Sequence, residues 1–351
     1  MVQEKKVRAT LSDVAQRAGV SAMTVSNVIN GKAGVRPNTR QRVLEAIEAT
    51  GYRVNAVARA LAGGQSRMIT VFSPQFNRPY ASEVIQGAAL AAEGLNYDLI
   101  VMMLSEQGFS DVSVVTRLAA GALLIQPSHV NHWQRAALPV HVVSVDGPGE
   151  LQLTVDNYGG ARLAMDYLLK LGHTRIGFIS GLESPGRRPA SHPFHPGQHD
   201  RDDADERLRG YREGMAAAGL DVPHDYVQHS DYTKPGGEQA TALLLGLTRP
   251  PSAIFVSGDA MALGTIHAAQ DRGLHIPRDL SVVGFDDLPI AAASRPGLTT
   301  VRQPLAQIGE VAVQILVALA EGREPAVPPP FATELIERES TAPPCSEELR
   351  Q

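Results

Sequence analysis

The stretch Ser21-Ala-Met-Thr-Val-Ser-Asn-Val-Ile-Asn30 places Val25, Val28 and Ile29 on one helical face and turns Ala22, Met23, Ser26, Asn27 and Asn30 outward or sideways. An exposed amide such as Asn27 pairs bidentately with adenine, and the apolar surface of Ala22 and Met23 suits a thymine methyl. Thr10, Ser21, Thr24, Ser26, Asn30 and Thr39 carry short polar groups suited to phosphate oxygens, contacts that position a domain without reading sequence. A second chemistry lies further along the chain. Asp146 closes the β-branched run 140–145, and Asp286 follows a run ending Gly284-Phe285. Carboxylates at strand ends suit a ligand rich in hydroxyls. Asp259 reads instead as the cap of a helix starting at Ala260. His192, His195 and His199 have spacings that place metal ligands together on a helix, but Pro189, Pro193 and Pro196 forbid a regular helix there. A solvated loop is the better reading, so neither metal nor cofactor is expected.

These groups need elements to hold them. Thr10 and Asp13 form a capping-box pattern, Val14, Ala15 and Ala18 follow at helical spacing, and Gly19 permits a tight turn. Ser21 caps a second helix to about Ile29. Pro37 starts a third helix, packed through Val43, Leu44 and Ile47 and ended by Gly51. That is helix-turn-helix geometry. Residues 55–62, which include Asn55, Ala58 and Leu61, are helix-competent but too short to be stable alone before Gly63-Gly64. From Met68 onward, strands are expected over 68–72, 97–104, 122–125, 140–145, 175–180, 253–256 and 280–285. Helices are expected over 81–95, 158–171, 207–218, 238–245, 261–273 and 304–321. The alternation predicts an α/β fold, with parallel sheets flanked by helices and divided near residue 160 into two similar lobes. Residues 183–205, rich in Pro, Gly, His and charge, read as a long surface loop, and 321–330 as a connection between lobes. The expected organisation is a DNA-reading domain (1–54), a hinge helix and linker (55–66), a two-lobed domain (67–340) and a tail (341–351).

The net charge of −5 conceals a division: residues 1–67 carry +7 and the remainder −12. A basic arm on an acidic body points to a polyanion partner for the arm alone. The single cysteine, Cys345, excludes a disulfide framework within the chain, and the polar N-terminus reads as no signal peptide. No run approaches the roughly 18 apolar residues of a membrane span. A cytoplasmic protein without membrane association is expected.

The residues Thr10-Leu-Ser-Asp-Val-Ala-Gln-Arg-Ala-Gly-Val-Ser-Ala-Met-Thr-Val-Ser-Asn-Val-Ile-Asn30 closely resemble the N-terminal signature of the lactose/galactose-repressor (LacI/GalR) family. The likeness continues through 55–62, Leu171-Gly-His-Thr-Arg-Ile-Gly-Phe-Ile, Gly258-Asp-Ala-Met-Ala-Leu-Gly, Leu280-Ser-Val-Val-Gly-Phe-Asp-Asp287 and Leu298-Thr-Thr-Val-Arg-Gln-Pro304. It spans about residues 9 to 340. The resemblance implies a dimeric transcriptional repressor that binds a pseudo-palindromic double-stranded operator. Its second domain would resemble periplasmic sugar-binding proteins and take a small effector, most simply a carbohydrate acting as inducer. It further implies that Ala22, Met23 and Asn27 read bases. Asn27 stands where the family commonly has Arg, which would favour guanine. Leu61 would wedge into the minor groove beside its symmetry mate. Arg207, at the family's spacing before Gly210-Tyr211, would bind effector with Asp146, Asp286 and the ring of Tyr232; Ser73, Tyr80 and Gln303 are further pocket candidates. Gly258 departs from the family, standing where many relatives place a hydrogen-bonding Asn. The absence of an apolar heptad repeat in 341–351 favours a homodimer over a tetramer.

Other classes fit less well. An enzyme would require a nucleophile elbow, phosphate loop, zinc-spaced His/Glu pair or dinucleotide fingerprint on a strand–turn–helix, and none is present. An exported solute-binding protein would have no use for the basic arm. A corepressor-responsive regulator with a purine-like ligand remains the alternative within the family; its pocket would be aromatic, and Tyr80, Tyr232 and Phe285 are the candidates.

Overall fold

A computed structural model describes residues 9–29, 33–52, 66–73, 78–103, 118–125, 140–147, 151–181 and 203–345. Asn30, the hinge residues Asn55, Ala58 and Leu61, and the histidines 192, 195 and 199 lie outside them. The chain divides into two compact units, Met1–Ser66 and Arg67–Gln351.

In the first unit, α1 (Leu11–Ala18) opens on a complete capping box. The Asp13 carboxylate accepts from the Thr10 N–H at 2.7 Å, and the Thr10 hydroxyl oxygen accepts from the Asp13 N–H at 3.3 Å. These bonds, led by the backbone one, hold the Asp13 pKa below its ordinary value. Gly19 ends the helix in left-handed backbone (φ 62°), a conformation that costs a residue with a Cβ about 1 kcal/mol. α2 (Ala22–Ile29) is capped by the Ser21 hydroxyl, which accepts from the Thr24 N–H at 3.1 Å. α3 (Pro37–Thr50) begins on proline and ends at Gly51. Val14, Ala15, Ala18, Val25, Val28, Val43 and Ala46 form the core. Leu44 is not among them: the face that carries Val43 and Ala46 turns it outward, 49% exposed. Arg42 of α3 donates to the carbonyls of Ala18 and Gly19, bracing the turn between α1 and α2.

The second unit holds two parallel-rich sheets. Lobe 1 contains β1 (Met68–Ser73), α4 (Pro79–Gly94), β2 (Asp98–Met103), β3 (Gly121–Ile125), β4 (His141–Val145) and β5 (Leu151–Leu153), with strand order β2-β1-β3-β4-β5. In lobe 2, α5 (Asn157–Lys170) precedes β6 (Ile176–Gly181), α6 (Asp203–Ala217), β7 (Val227–Ser230), α7 (Lys234–Leu245), β8 (Ala253–Val256) and α8 (Asp259–Gln270). β9 (Ser281–Asp286), α9 (Pro289–Ala293), β10 (Thr299–Arg302) and β11 (Glu334–Ile336) complete it, in the order β11-β10-β9-β8-β6-β7 with only β10–β11 antiparallel. β1, β3, β6 and β9 are buried at every position, as both-face coverage by helices requires, and this explains their mainly apolar sequences.

The division near residue 160 is only part of the topology. After β10 the chain returns to lobe 1, where α10 (Leu305–Ala320) packs Leu305, Ile308, Ala312, Val313 and Leu316 among Val84, Leu123, Val143 and Val145. It then crosses again to β11. The lobes are therefore joined by three segments, two of which pair directly: Phe331 N–H donates to Thr154 O at 2.8 Å, and Asp156 N–H to Phe331 O at 2.9 Å. α6 begins four residues earlier than expected. Asp203, Asp205 and Glu206 in its first turn complement the positive end of the helix dipole, so charge that reads as loop belongs to a helix start.

Candidate functional site

On α2, Met23 is 70% exposed and Ala22 exposed, while Asn27 and Ser26 are half-buried. Val25 and Val28 anchor the opposite face. The helix thus presents its N-terminal side chains outward, as a reading helix must. Thr10 and Ser21 are engaged as caps, and Thr24 pairs with Ser21 at 2.9 Å. The bracing role of Arg42 carries no sequence signal, because it depends on a contact 24 residues away.

The second cluster gathers where strands end. Ser73 closes β1, Asp146 follows β4, Tyr232 lies beyond β7, and Asp286 closes β9. Asp146, Tyr232 and Asp286 share a centre in Arg207, from the first turns of α6 and only 4% exposed. Its Nε donates to Asn157 Oδ1 at 2.8 Å and its Nη1 to the Ser257 carbonyl at 2.6 Å. The guanidinium carbon sits 3.9 Å from the centroid of the Phe285 ring. Burial alone opposes the charge, but Tyr232, Asp286, Asp203 and Asp146 outweigh it and hold the Arg207 pKa above its ordinary value. Three residues named from sequence, Asp146, Tyr232 and Asp286, thus act on a fourth, Arg207.

Asp286 Oδ1 lies 4.0 Å from Arg207 Nη1 and accepts from Gln303 Nε2 at 2.6 Å, and the Asp286 carboxylate also accepts the Asp259 N–H at the start of α8. Desolvation outweighs these favourable contacts and pushes Asp286 up to about 6. Gln303 belongs to the segment that passes from β10 back to lobe 1, so a residue joining the lobes touches the site directly. Its Oε1 is buried with no hydrogen bond among the described residues, and the same holds for the Tyr80 hydroxyl in the first turn of α4. Tyr80 packs in the lobe 1 core, in one apolar cluster with Leu288 and Leu305.

Backbone strain falls in the same place. Among the described residues, five non-glycine positions have positive φ: Asn96, Asp146, Tyr232, Asp286 and Asp287. Such residues cost of order 1–3 kcal/mol each and persist where surrounding structure demands them. Tyr232 lies against Gly181 at the end of β6, where a Cβ would overlap its ring. Across the lobes, the Arg78 guanidinium stands 5.8 Å from that ring. A Cβ on Gly258 would lie 3.3 Å from the Tyr232 ring and 3.7 Å from Asp286 Oδ2, so the glycine leaves space between ring and carboxylate. Asn157, Ser257 and Asp203, all in contact with this network, were not legible; Asn157 Nδ2 donates to Asp203 Oδ1 at 2.8 Å, a pairing of residues 46 apart. Asp259 does not cap its helix, where Gly258 is the N-cap; its carboxyl turns inward. Among the described residues no group of three or more His, Cys, Asp and Glu is placed to hold a metal ion, and no helix is long and apolar enough to cross a membrane.

Comparison with known proteins places both units. Residues 10–55 match "Bacterial regulatory proteins, lacI family", and residues 165–341 match "Periplasmic binding protein-like domain". The chain is 34% identical over 318 residues to Catabolite control protein A of Priestia megaterium, covering 88% of this chain and 91% of that protein. It is 32% identical over 332 residues to the HTH-type transcriptional repressor CytR of Escherichia coli K12, covering 92% of each. The solved Lac repressor dimer bound to operator and the anti-inducer ONPF matches with a TM-score of 0.81 at 26% identity, covering 95% of this chain and 99% of that one. The chain belongs to the lacI family of bacterial regulatory proteins and is a DNA-binding transcriptional repressor.

Proposed function

We propose that this repressor acts in the cytoplasm as a homodimer whose operator affinity is lowered by a carbohydrate inducer bound between the lobes. Its activity is binding, with no catalytic step. The observation that carries the reading is the buried Arg207–Asp286 pair, 4.0 Å apart and flanked by a Gln303 Oε1 with no hydrogen bond. That separation is at the limit of an ion pair, and a ligand hydroxyl between the two would donate to the carboxylate and accept from the guanidinium. Arg207 Nη2, which makes no hydrogen bond among the described residues, adds a second donor beside it. Vicinal diols need this alternation of donors and acceptors. The Tyr232 ring offers a face for the C–H surface of a pyranose, and Gly258 keeps a side chain from crowding that ring.

In this reading Ala22, Met23 and Asn27 contact base edges, while Thr10, Ser21, Thr24, Ser26, Asn30 and Thr39 contact the phosphate backbone. Asn55, Ala58 and Leu61 belong to the hinge, with Leu61 as the minor-groove wedge at the operator dyad. Effector occupancy shifts the lobes and thereby the paired hinges, by no more than its preference for one arrangement; tenfold induction needs about 1.4 kcal/mol.

Two measurements test this. Mass spectrometry of small molecules released from the purified protein, followed by calorimetry with glucose, galactose, ribose, cellobiose, maltose, adenine and guanine, identifies the effector class. Operator titration with and without the bound compound then gives its sign. A purine that tightens operator binding would replace the inducer reading with a corepressor. For the DNA face, selection from random duplexes should move the half-site consensus towards guanine in Asn27→Arg, and an unchanged consensus removes Asn27 from base reading.

A further inference from the structure

We propose that Asp259 is a positioning residue that locks the effector carboxylate of Asp286 and the lobe 1 contact of Leu288 into a single junction. Asp259 is completely buried at the start of α8. Its Oδ2 accepts from the Leu288 N–H at 2.7 Å, and its Oδ1 accepts from the Thr300 hydroxyl at 2.6 Å. Its own N–H is donated to the Asp286 carboxylate. One residue therefore holds the chain leaving β9, the second residue of β10 and the carboxylate at the site.

The surroundings are shaped to admit this side chain. A Cβ on Gly284 would overlap Asp259 Oδ1, and Gly284 is the β9 partner of Thr300 on β10. The chain between Asp286 and Leu288 is strained, with φ 116° at Asp286 and 57° at Asp287. Asp287 is clamped separately: its Oδ2 accepts from Arg302 Nε at 2.7 Å and its Oδ1 from Arg338 Nη2 at 2.6 Å. Leu288 lies 2% exposed in the core cluster of lobe 1, with Tyr80, Leu305 and Ile308. The bond to its N–H thus anchors, from lobe 2, a residue whose side chain belongs to lobe 1. Any displacement of Asp286 on filling the site is passed to Leu288 through a turn with no slack. Burial, and then the nearby Asp286, favour a neutral Asp259 carboxyl, so an amide of the same shape should serve equally well.

The inference rests on the reading of Asp286 as an effector ligand, and the test keeps the two apart. Amide hydrogen exchange is measured on the full-length protein as wild type, Asp259→Asn, Asp259→Ala and Thr300→Val. Asp259→Asn accepts from Leu288 N–H and donates to Thr300, and should exchange within threefold of wild type throughout. Asp259→Ala should exchange at least tenfold faster at residues 286–291 and at Leu305 and Ile308 of α10, with 176–181 unchanged as the control for folding. Thr300→Val, which removes one bond only, should accelerate Leu288 about threefold and serves alone if the alanine variant does not fold. Wild-type protection of Leu288 in either variant overturns the proposal. Calorimetry with glucose, galactose, ribose, cellobiose and maltose adds a second readout. A saccharide that binds wild type should bind Asp259→Ala at least tenfold more weakly and Asp259→Asn within threefold; equal binding to the alanine variant also overturns the positioning role. If that saccharide binds Arg207→Ala as it binds wild type, the effector site is misassigned while the exchange result stands. If none binds, exchange alone decides.

Discussion

The two lobes of the second unit solve the same packing problem in the same way and differ in what they hold. In lobe 1, a Cβ on Gly87 of α4 would overlap the Ala306 carbonyl, and one on Gly309 of α10 would overlap that of Val84. In lobe 2, Gly237 of α7 stands against the Met261 carbonyl and Gly264 of α8 against that of Lys234. Each lobe thus brings two helices into backbone contact through reciprocal glycines, which fixes helix separation more tightly than interdigitating side chains. Polar groups are distributed quite differently. Lobe 2 supplies Arg207, Asp286, Asp259, Asn157 and Asp203, locked by bonds of 2.6–2.8 Å. Lobe 1 supplies Asp146 and Ser73 at strand ends and Tyr80, whose hydroxyl is buried without a hydrogen bond among the described residues. In the proposed reading, ligand seats on the more closely bonded half and rewards the approach of the other.

The largest test of this asymmetry is Arg207→Ala. Removing the cation leaves Asn157 Oδ1 and the Ser257 carbonyl without their Arg207 bonds and the buried Asp286 without its nearby cation, a change that typically costs about 3–5 kcal/mol. Chemical denaturation should show the loss, and saccharide binding and operator response should vanish while operator affinity persists in the folded protein. Retained stability would mean that lobe 2 is less preorganised than its bond lengths imply.

The glycine contacts come next. Gly87→Ala and Gly237→Ala should each destabilise by about 1–3 kcal/mol, because the clash is with backbone rather than with the end of a flexible side chain. Their effects on binding should diverge. Gly237 presses on Met261, two residues after Asp259, so its variant disturbs the more closely bonded half of the site and weakens saccharide affinity. Gly87→Ala acts between α4 and α10, away from Arg207, and should affect closure more than initial binding. Equal losses of affinity in calorimetry would erase the distinction between the lobes.

Acidity gives a smaller effect. Asp286, pushed up to about 6 chiefly by burial, binds its proton more tightly in the folded chain than in the unfolded one, where a carboxyl titrates near 4. Its contribution to stability is therefore full below about pH 4 and is lost as pH rises through about 6. Compared with wild type, Asp286→Asn should gain relative melting temperature between pH 5 and pH 7.5. Saccharide affinity runs the other way, falling below about pH 6 as the acceptor is protonated. A wild-type affinity flat from pH 5 to 8 would mean that the carboxylate is not the acceptor.

How much of this could be read from the chain follows from the range of the interactions. The capping box at Thr10 and Asp13, the turn at Gly19 and the start at Pro37 are local, and all three helices of the first unit stand where those residues place them. Buried parallel strands announce themselves as apolar runs. β5, β7, β10 and β11 are only three or four residues long and were missed; three of them lie at sheet edges, where pairing with one neighbour decides the conformation. The return of α10 to lobe 1 was invisible, because its apolar face fits either lobe and only the tertiary partner decides. Asp146 and Asp286 stand at strand ends because each directly follows or closes an apolar run that is itself local. The inward turn of Asp259 depends on Gly284 and Thr300, 25 and 41 residues away, and no local pattern encodes it.

Tyr80→Phe is the smallest change and the sharpest probe of the lobe 1 half. Tyr80 is 7% exposed, and its hydroxyl contributes no bond among the described residues to offset the water it has lost. Replacing such a hydroxyl by hydrogen removes an unmet desolvation cost, so the unliganded protein should be as stable as wild type or more stable by about 1 kcal/mol. Saccharide affinity should move in the opposite direction, falling about five- to tenfold if the hydroxyl bonds a ligand oxygen on closure. The position supports that role: Tyr80 stands two residues from Arg78, which already faces the Tyr232 ring of lobe 2, and packs in the cluster that receives Leu288. Opposite signs in the two measurements can arise only if the group is idle in the free protein and used in the complex. A phenylalanine variant that loses stability and keeps its affinity would make Tyr80 an ordinary core residue, and the closing contribution of lobe 1 would then have to come from Ser73 or Asp146 at its strand ends.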